Sequence, residues 1–547
     1  MTKMRNIKSY ILMFMTIIFI TSCVNDLDVE PIDPNIDTAN NVFTDPEAFK
    51  QALAKIYASY AISGQTGGGG GNPDIAGIDE NFGNYLRQFW GLQELSTDEA
   101  IIAWDDATIK NFHWHTWAPN DVFISAMYSR IFYSIALSNE FIRNANAGNA
   151  SGSFQAELDI MVAEARFLRA LSYWHAIDMF GNVPFITEND LPGAFFPERI
   201  TRAELFEYVE SELLDIENNL AAARSHEYAR ADQGAAWMLL AKLYLNADIY
   251  TGQPRYTDAL TYINRIINAG YSLESEYENI FVADNHLSNE IIFPIAFDGL
   301  NTQQYGGMTF LLHASNGGGM PLNGIDGGWG GIRTISDFVT KFDVEEGDFT
   351  DVDPEFTSIP DQRGMFFFDP LDDDGEPYWQ WIVSNVGTFT HGIGVTKFKN
   401  ISSDGGPAPN AHPTFVSTDF PMFRLGDVYL MYAETVLRGG TGGDLATAVN
   451  YVNALRKRGF GDNSADITES ELTLDFILDE RARELYWECH RRTDLIRFGQ
   501  FTDGTYVWEW KGNVQEGIKT ESFRDLYPIP TNDLNANPKL EQNDGYN

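Results

Sequence analysis

The sequence predicts a mainly α protein: a platform of degenerate helical repeats that carries a more irregular, loop-rich half. Three observations predict it. Long stretches of helical periodicity recur from residue 46 to residue 271 and return near the C-terminus. Two of these stretches repeat one pattern of small and aromatic residues on paired helices. Between about Asn301 and Phe420 the periodicity breaks down into Gly- and Trp-rich sequence.

The N-terminus comes first. Lys3, Arg5 and Lys8 precede an apolar run from Ile11 to Ile20, and Thr21-Ser22-Cys23 follows. This is the layout of a signal peptide over residues 1–22. The run is short of the roughly 20 apolar residues that span a bilayer. A small residue followed by Cys resembles a bacterial lipobox, in which the thiol of Cys23 is acylated and anchors the mature chain in a membrane. Residues 23–45, rich in Asp, Asn and Pro, read as an acidic tether.

Pro46 to Tyr60 reads as a helix, with Asp45 as N-cap, Pro46 in the first helical position and Glu47 in the first turn. Asp121 to Asn146, Phe154 to Phe180 and Arg202 to Ala223 follow, the last capped by Thr201. In Asp232 to Tyr271, Trp237, Leu240, Ala241 and Tyr244 stand at relative spacings of 0, 3, 4 and 7, and Ala259, Ile263 and Ile266 lie on a second helix. Those intervals resemble the tetratricopeptide pattern, in which small residues let two helices pack closely. Tyr429, Tyr432 and Ala433, then Ala448, Val452 and Leu455, form a second such pair. Tyr486 to His490, with Trp487 and Cys489, also reads as helical. The domains expected are 46–290, with an irregular insertion at 64–117, and 291–547, with an irregular subdomain at 301–420.

Composition limits the function. Of 547 residues 44% are hydrophobic and 14% aromatic, enough for a large core. The 37 basic and 78 acidic residues give a net charge of −41, a field that repels nucleic acid and polyanionic glycans. There are two cysteines, and a lipid on Cys23 leaves Cys489 without an internal partner, so it reads as a buried, inert thiol.

Catalytic signatures are missing: the chain has no Gly-x-Ser-x-Gly, no His-Glu-x-x-His and no phosphate-binding Gly-rich loop. Asp372-Asp-Asp-Gly375 hints at calcium, but Pro370 occupies the first ligand position of an EF-hand register, so the run reads as an acidic turn. His113 and His115 read as loop histidines among aromatics rather than metal ligands. No cofactor is implied. Tryptophan in irregular segments stands out: Trp90, Trp104, Trp114 and Trp117, then Trp329, Trp379 and Trp381, then Trp508 and Trp510. An aromatic face stacks on the apolar C–H face of a sugar ring while polar side chains meet the hydroxyls. Each of these tryptophans reads equally well as a loop anchor in the core. Trp174, Trp237 and Trp487 lie on helix patterns and belong to the core.

An ordered set of motifs spans nearly the whole mature chain. It includes Glu94-Leu-Ser-Thr-Asp-Glu-Ala100, Glu164-Ala-Arg-Phe-Leu-Arg-Ala170 and Phe180-Gly-Asn-Val-Pro184. Asn289-Glu-Ile-Ile-Phe293, Gly328-Trp-Gly-Gly-Ile-Arg333, Arg424-Leu-Gly-Asp-Val-Tyr-Leu-Met-Tyr-Ala-Glu434, Glu480-Arg-Ala-Arg-Glu-Leu485 and Tyr527-Pro-Ile-Pro530 follow. In this order they resemble the SusD/RagB family of glycan-capturing outer-membrane lipoproteins. The resemblance implies about four tetratricopeptide-like helix pairs, a surface-exposed lipid anchor in the outer membrane, no catalysis, and a SusC-like TonB-dependent transporter as partner. It implies a neutral glycan as ligand (starch-like α-glucan, laminarin-like β-glucan or xylan-like). The alternative is a peptide-capturing or purely structural lid of such an importer.

Matching motif context carries an aromatic arc of a starch-binding member onto Trp104, Tyr305 and Trp329. Asn111 and Arg333 are nearby candidates for hydroxyl contacts, and Tyr378 and Trp379 for an extension of the platform.

Overall fold

The structure, a computed structural model, describes residues 43, 46–68, 71–147, 154–190, 193, 195–350, 353–355, 359–372 and 374–546. The signal peptide, Cys23, Asp45 and nearly all of the tether lie outside these residues.

Helices dominate. In chain order come α1 (Pro46–Ala61), α2 (Tyr85–Glu94), β1 (Ile101–Ile102), α3 (Asn111–Trp114), α4 (Val122–Asn146) and α5 (Gln155–Met179). Next are β2 (Val183–Pro184), β3 (Arg199–Ile200), α6 (Arg202–Ile216), α7 (Gln233–Leu245), α8 (Ala247–Thr251) and α9 (Tyr256–Ile267). The middle holds β4 (Ile291–Ile295), α10 (Gly307–Ser315), β5 (Ile332–Arg333), α11 (Ser336–Val339), β6 (Phe366–Phe367) and β7 (Gly394–Val395). The chain closes with β8 (Phe420–Arg424), α12 (Leu425–Leu437), α13 (Leu445–Phe460), α14 (Leu474–Leu485), α15 (Arg491–Arg497) and α16 (Thr531–Ala536). No helix among the described residues is long and apolar enough to cross a membrane.

Side-chain caps set the helix starts. Asp121 accepts the amides of Phe123 and Ile124 at the head of α4, Asp232 caps α7 and Asp444 caps α13. Thr201 and Glu204 form a capping box on α6. That helix stops at Ile216 rather than reaching Ala223, and the chain turns through Asn219 and Leu220, whose amides both bond Ile216 O.

The helices stack in sequence. Helix α4 packs on α5 and α5 on α6; α7 packs on α9, α9 on α12, and α12 on α13. Ala241, Ala259, Ala433 and Ala448, the small residues of the repeat pattern, are fully buried, so the paired helices approach closely. The C-terminal helix pair thereby joins the central one. The antiparallel β4–β8 pair runs straight into α12 and fastens the loop-rich segment to the stack.

One expected helix ends early. Helix α14 stops at Leu485, and Trp487 (φ 64°) and Cys489 (φ 66°) adopt left-handed backbone that β-carbon-bearing residues rarely hold. The reason is distant in sequence. The Trp487 amide donates to Glu99 Oε2 at 2.8 Å and the Cys489 amide to Glu94 Oε1 at 2.5 Å, in place of helical carbonyls. Cys489 is buried, and burial pushes its thiol well up, in keeping with an inert role.

Glu94 and Glu99 are both buried, and burial pushes both carboxyls up. Burial raises Glu99 from 4.5 to about 7, against the pull of Arg491. A carboxyl raised on folding stabilises fully below its unfolded value, and that stability is lost as pH rises through the folded value. Between about pH 4.5 and about pH 7, Glu99 therefore withdraws stability on the order of 3 kcal/mol. Glu99→Gln, which keeps an acceptor for the Trp487 amide, is expected to flatten this slope. Urea midpoints across that range check it; an unchanged slope in the variant contradicts the raised Glu99 carboxyl.

Candidate functional site

The short β1–β5 pair builds the site. Ile101 pairs with Arg333 and Ile102 with Ile332, which sets Trp104, two residues past β1, beside the Gly327–Gly331 loop that leads into β5. That loop hangs from the C-terminal end of α10: Trp329 N–H donates to His313 O at 2.7 Å, Gly331 N–H to Ala314 O at 2.7 Å and Gly330 N–H to Asn316 O at 2.8 Å. Glycine is required twice. A β-carbon at Gly331 meets the Trp104 indole at 2.6 Å, and one at Gly328 meets Asn316 O at 2.1 Å.

Three rings predicted from the sequence come together here. Trp104 and Trp329 lie 6.3 Å apart between ring centres with planes 38° apart, and Tyr305 lies 6.2 Å from Trp329 at 53°. Trp329 keeps 39% of its surface exposed, while Trp104 and Tyr305 are half-buried. Each ring is braced. The Trp104 indole N–H donates to Gly330 O at 3.2 Å, and Tyr305 rests on Phe415 at 5.3 Å. His313 stacks on Trp329 at 4.6 Å. The result is a stepped, curved row of aromatic faces on the surface.

A cleft of about 440 Å³ opens beside Trp104, lined by Asp79, Asn81, Phe82, Arg87 and Asp106 among others. Arg87 lies 4.1 Å over the Phe310 ring and 5.9 Å from the Trp104 ring, and donates to Asn81 O at 3.1 Å. Burial lowers its guanidinium to about 10, against the opposing pull of Asp106 and Asp79. The sequence offers no signal for Arg87, one arginine on α2, a helix whose every residue is buried. A separate groove of about 340 Å³ between α1 and β4, walled by Leu53, Tyr57, Met161 and Phe293, is mostly apolar.

The other expected contacts lie elsewhere. Arg333 is fully buried; its Nε donates to His391 O at 2.7 Å and its Nη2 to Val386 O at 2.8 Å, so it holds the 386–391 loop rather than facing solvent. Trp379 is only 3% exposed, with its indole N–H on Gly318 O at 3.0 Å, and it is a loop anchor. Tyr378 is half-buried against Gly319. Asn111 opens α3 and its carboxamide oxygen takes the Thr116 hydroxyl at 3.1 Å. Trp90 lies on α2 and is buried, as are Trp117 and Trp508, while Trp510 donates to Val383 O at 2.6 Å. His113 and His115 are buried core groups: His113 accepts the Ile102 amide at 3.0 Å, and burial drives His115 down to about 3.

A stack of helical repeats that displays curved aromatic faces beside a polar cleft defines a binding platform of the tetratricopeptide-like class. The comparisons narrow the class. Residues 371–546 match the SusD family, and residues 86–245 match the family described as starch-binding associating with outer membrane. The chain is 36% identical to the starch-binding protein SusD of Bacteroides thetaiotaomicron, with 96% of each chain covered. It is 27% identical to SusD-like protein P25 of Formosa agariphila, covering 78% of this chain and 79% of that one. Among solved structures, a SusD-like protein of Bacteroides fragilis superposes with a TM-score of 0.69 at 19% identity, covering 95% of this chain and 100% of that one. Surface glycan-binding protein A of Bacteroides thetaiotaomicron, in complex with laminarihexaose, gives 0.65 at 20% identity, covering 91% and 99%. The chain belongs to the SusD family.

Proposed function

We propose that this protein is a non-catalytic, lipid-anchored binder at the outer-membrane surface that captures an α-1,4-linked glucan. The captured glucan passes to a SusC-like TonB-dependent transporter. The arc of Trp104, Trp329 and Tyr305 carries the proposal. Its planes step by 38° and 53°, a curvature that suits the bent chain of an α-1,4-glucan better than a flat β-1,4 ribbon such as xylan. The apolar faces of successive glucose rings stack on the indoles and the phenol. Asp79, Asn81, Arg87 and Asp106 in the adjoining cleft supply donors and acceptors for hydroxyls. A net charge of −41 favours an uncharged polymer. The starch-binding relative at 36% identity supports α-glucan over laminarin, whose bound example is only 20% identical.

Affinity electrophoresis tests the assignment. Migration is expected to slow in gels containing amylopectin or pullulan and to stay unchanged with xylan. Retardation by laminarin alone overturns the α-glucan assignment, and retardation by none of these polymers overturns the neutral-glycan reading.

A further inference from the structure

We propose that His313 is a doubly protonated imidazolium that holds Trp329 in its binding position. The inference rests on the glycan reading above and names a positioning residue beneath that site.

His313 is 1% exposed, and its Nδ1 lies 2.5 Å from Gly327 O while its Nε2 lies 2.8 Å from Thr414 O. Both partners are carbonyl oxygens, which only accept. A neutral imidazole has one N–H and satisfies one of them; the cation satisfies both. Buried His115 offers the contrast. Its Nε2 meets Ser96 O, but its Nδ1 meets the Thr520 hydroxyl, which can donate, so the neutral ring suffices there.

Two features of the fold favour the charge at residue 313. His313 sits in the last turn of α10, where the helix dipole stabilises a cation. Its ring also lies against Trp329, 4.6 Å between centres with planes 23° apart, so a positive charge faces an electron-rich indole. The imidazolium thereby ties the Gly327–Gly331 loop to the 412–415 loop at the base of the arc.

The surrounding groups leave both carbonyls to His313. Asp326 takes the Thr414 hydroxyl at 2.7 Å. The Nδ1 of His412 accepts the amides of Thr414 and Phe415, each at 3.1 Å, so this ring needs Nδ1 unprotonated. Tyr305 packs on Phe415, and Arg87 lies over Phe310, one turn before His313 on α10. A ring with one N–H leaves either Gly327 O or Thr414 O without its donor, and the tie between the two loops under Trp329 is halved.

Two readouts on the full mature protein test this. The first needs no sugar: nitrogen NMR of protein labelled at its nine histidines, with His313→Gln identifying the resonances of residue 313. Both ring nitrogens of His313 are expected to be protonated near neutral pH; a single protonated nitrogen overturns the proposal. The second is calorimetry with maltoheptaose. His313→Gln, which can donate toward only one carbonyl, is expected to bind about fivefold more weakly than wild type at neutral pH. Full affinity in a folded His313→Gln protein overturns the positioning role, and a variant that does not fold leaves the two nitrogens of the wild-type ring to decide. An imidazolium seen by NMR without maltoheptaose binding at any pH overturns the glycan reading instead and leaves the charge state standing.

Discussion

Trp329→Ala is expected to weaken maltoheptaose binding at least about thirtyfold, close to 2 kcal/mol, while leaving the thermal midpoint nearly unchanged. The two halves of this expectation come from one observation. Trp329 is the central ring of the arc, within 6.3 Å of both Trp104 and Tyr305, and yet 39% of its surface faces solvent. Little of the ring is committed to the core, so truncation removes a stacking face without opening a large internal cavity. Trp329→Phe keeps a smaller face and should fall between the two. Calorimetry for affinity and a thermal melt for stability separate the effects. Full affinity in a folded Trp329→Ala protein places the binding site elsewhere.

The sequence and the structure agree most closely where local rules decide. Thr201, expected as a cap, does cap α6, and Asp121 and Asp232, where helical stretches are expected to begin, cap α4 and α7, because such side chains reach amides two or three residues away. The same holds for Ala241, Ala259, Ala433 and Ala448, whose spacing marks close-packed helix pairs. The aromatic arc was legible in a different way. Trp104, Tyr305 and Trp329 are far apart in the chain, no periodicity links them, and only the resemblance to a family brought them together before the β1–β5 pair did.

The misreadings share a physical cause. Tyr486 to Cys489 has helical composition, but Glu94 and Glu99 supply its amide acceptors, and an acceptor 388 residues upstream of Trp487 leaves no local trace. Trp379 and Arg333 sit in irregular sequence, where exposure is the ordinary expectation. They are buried because long loops need anchors of their own: Trp379 pins Gly318, and Arg333 pins His391 and Val386. Arg87 escaped notice for the converse reason, as a polar group on a helix that the fold buries beside an open cleft.

The largest loss of stability is expected from Arg424→Met, about 3–5 kcal/mol at neutral pH. Arg424 ends β8 and is 1% exposed. Its guanidinium reaches Glu290 at 2.8 Å, Glu484 at 2.6 Å and both carboxylate oxygens of Glu488 at 2.6 and 2.8 Å. Those acids come from the approach to β4, from α14 and from the loop after it, so one side chain joins three parts of the chain. Helical periodicity would assign such charges to a solvated face; here they are an interior lattice that includes Arg363, Arg458 and Lys397. Methionine nearly fills the space but leaves carboxylates buried with too few partners, and that deficit is the cost. Burial pushes the Glu484 carboxyl up, but Arg458, Arg424 and Arg363 outweigh it and hold it at about 2, below its ordinary 4.5. A depressed carboxyl contributes stability above its unfolded value and loses it as pH falls through the folded one. The penalty of Arg424→Met should therefore be full above about pH 4.5 and shrink toward about pH 2, where wild type loses the same contribution. Urea unfolding of both proteins over that range measures it. A midpoint difference that is small at neutral pH, or that grows in acid, contradicts a carboxylate lattice held together by Arg424.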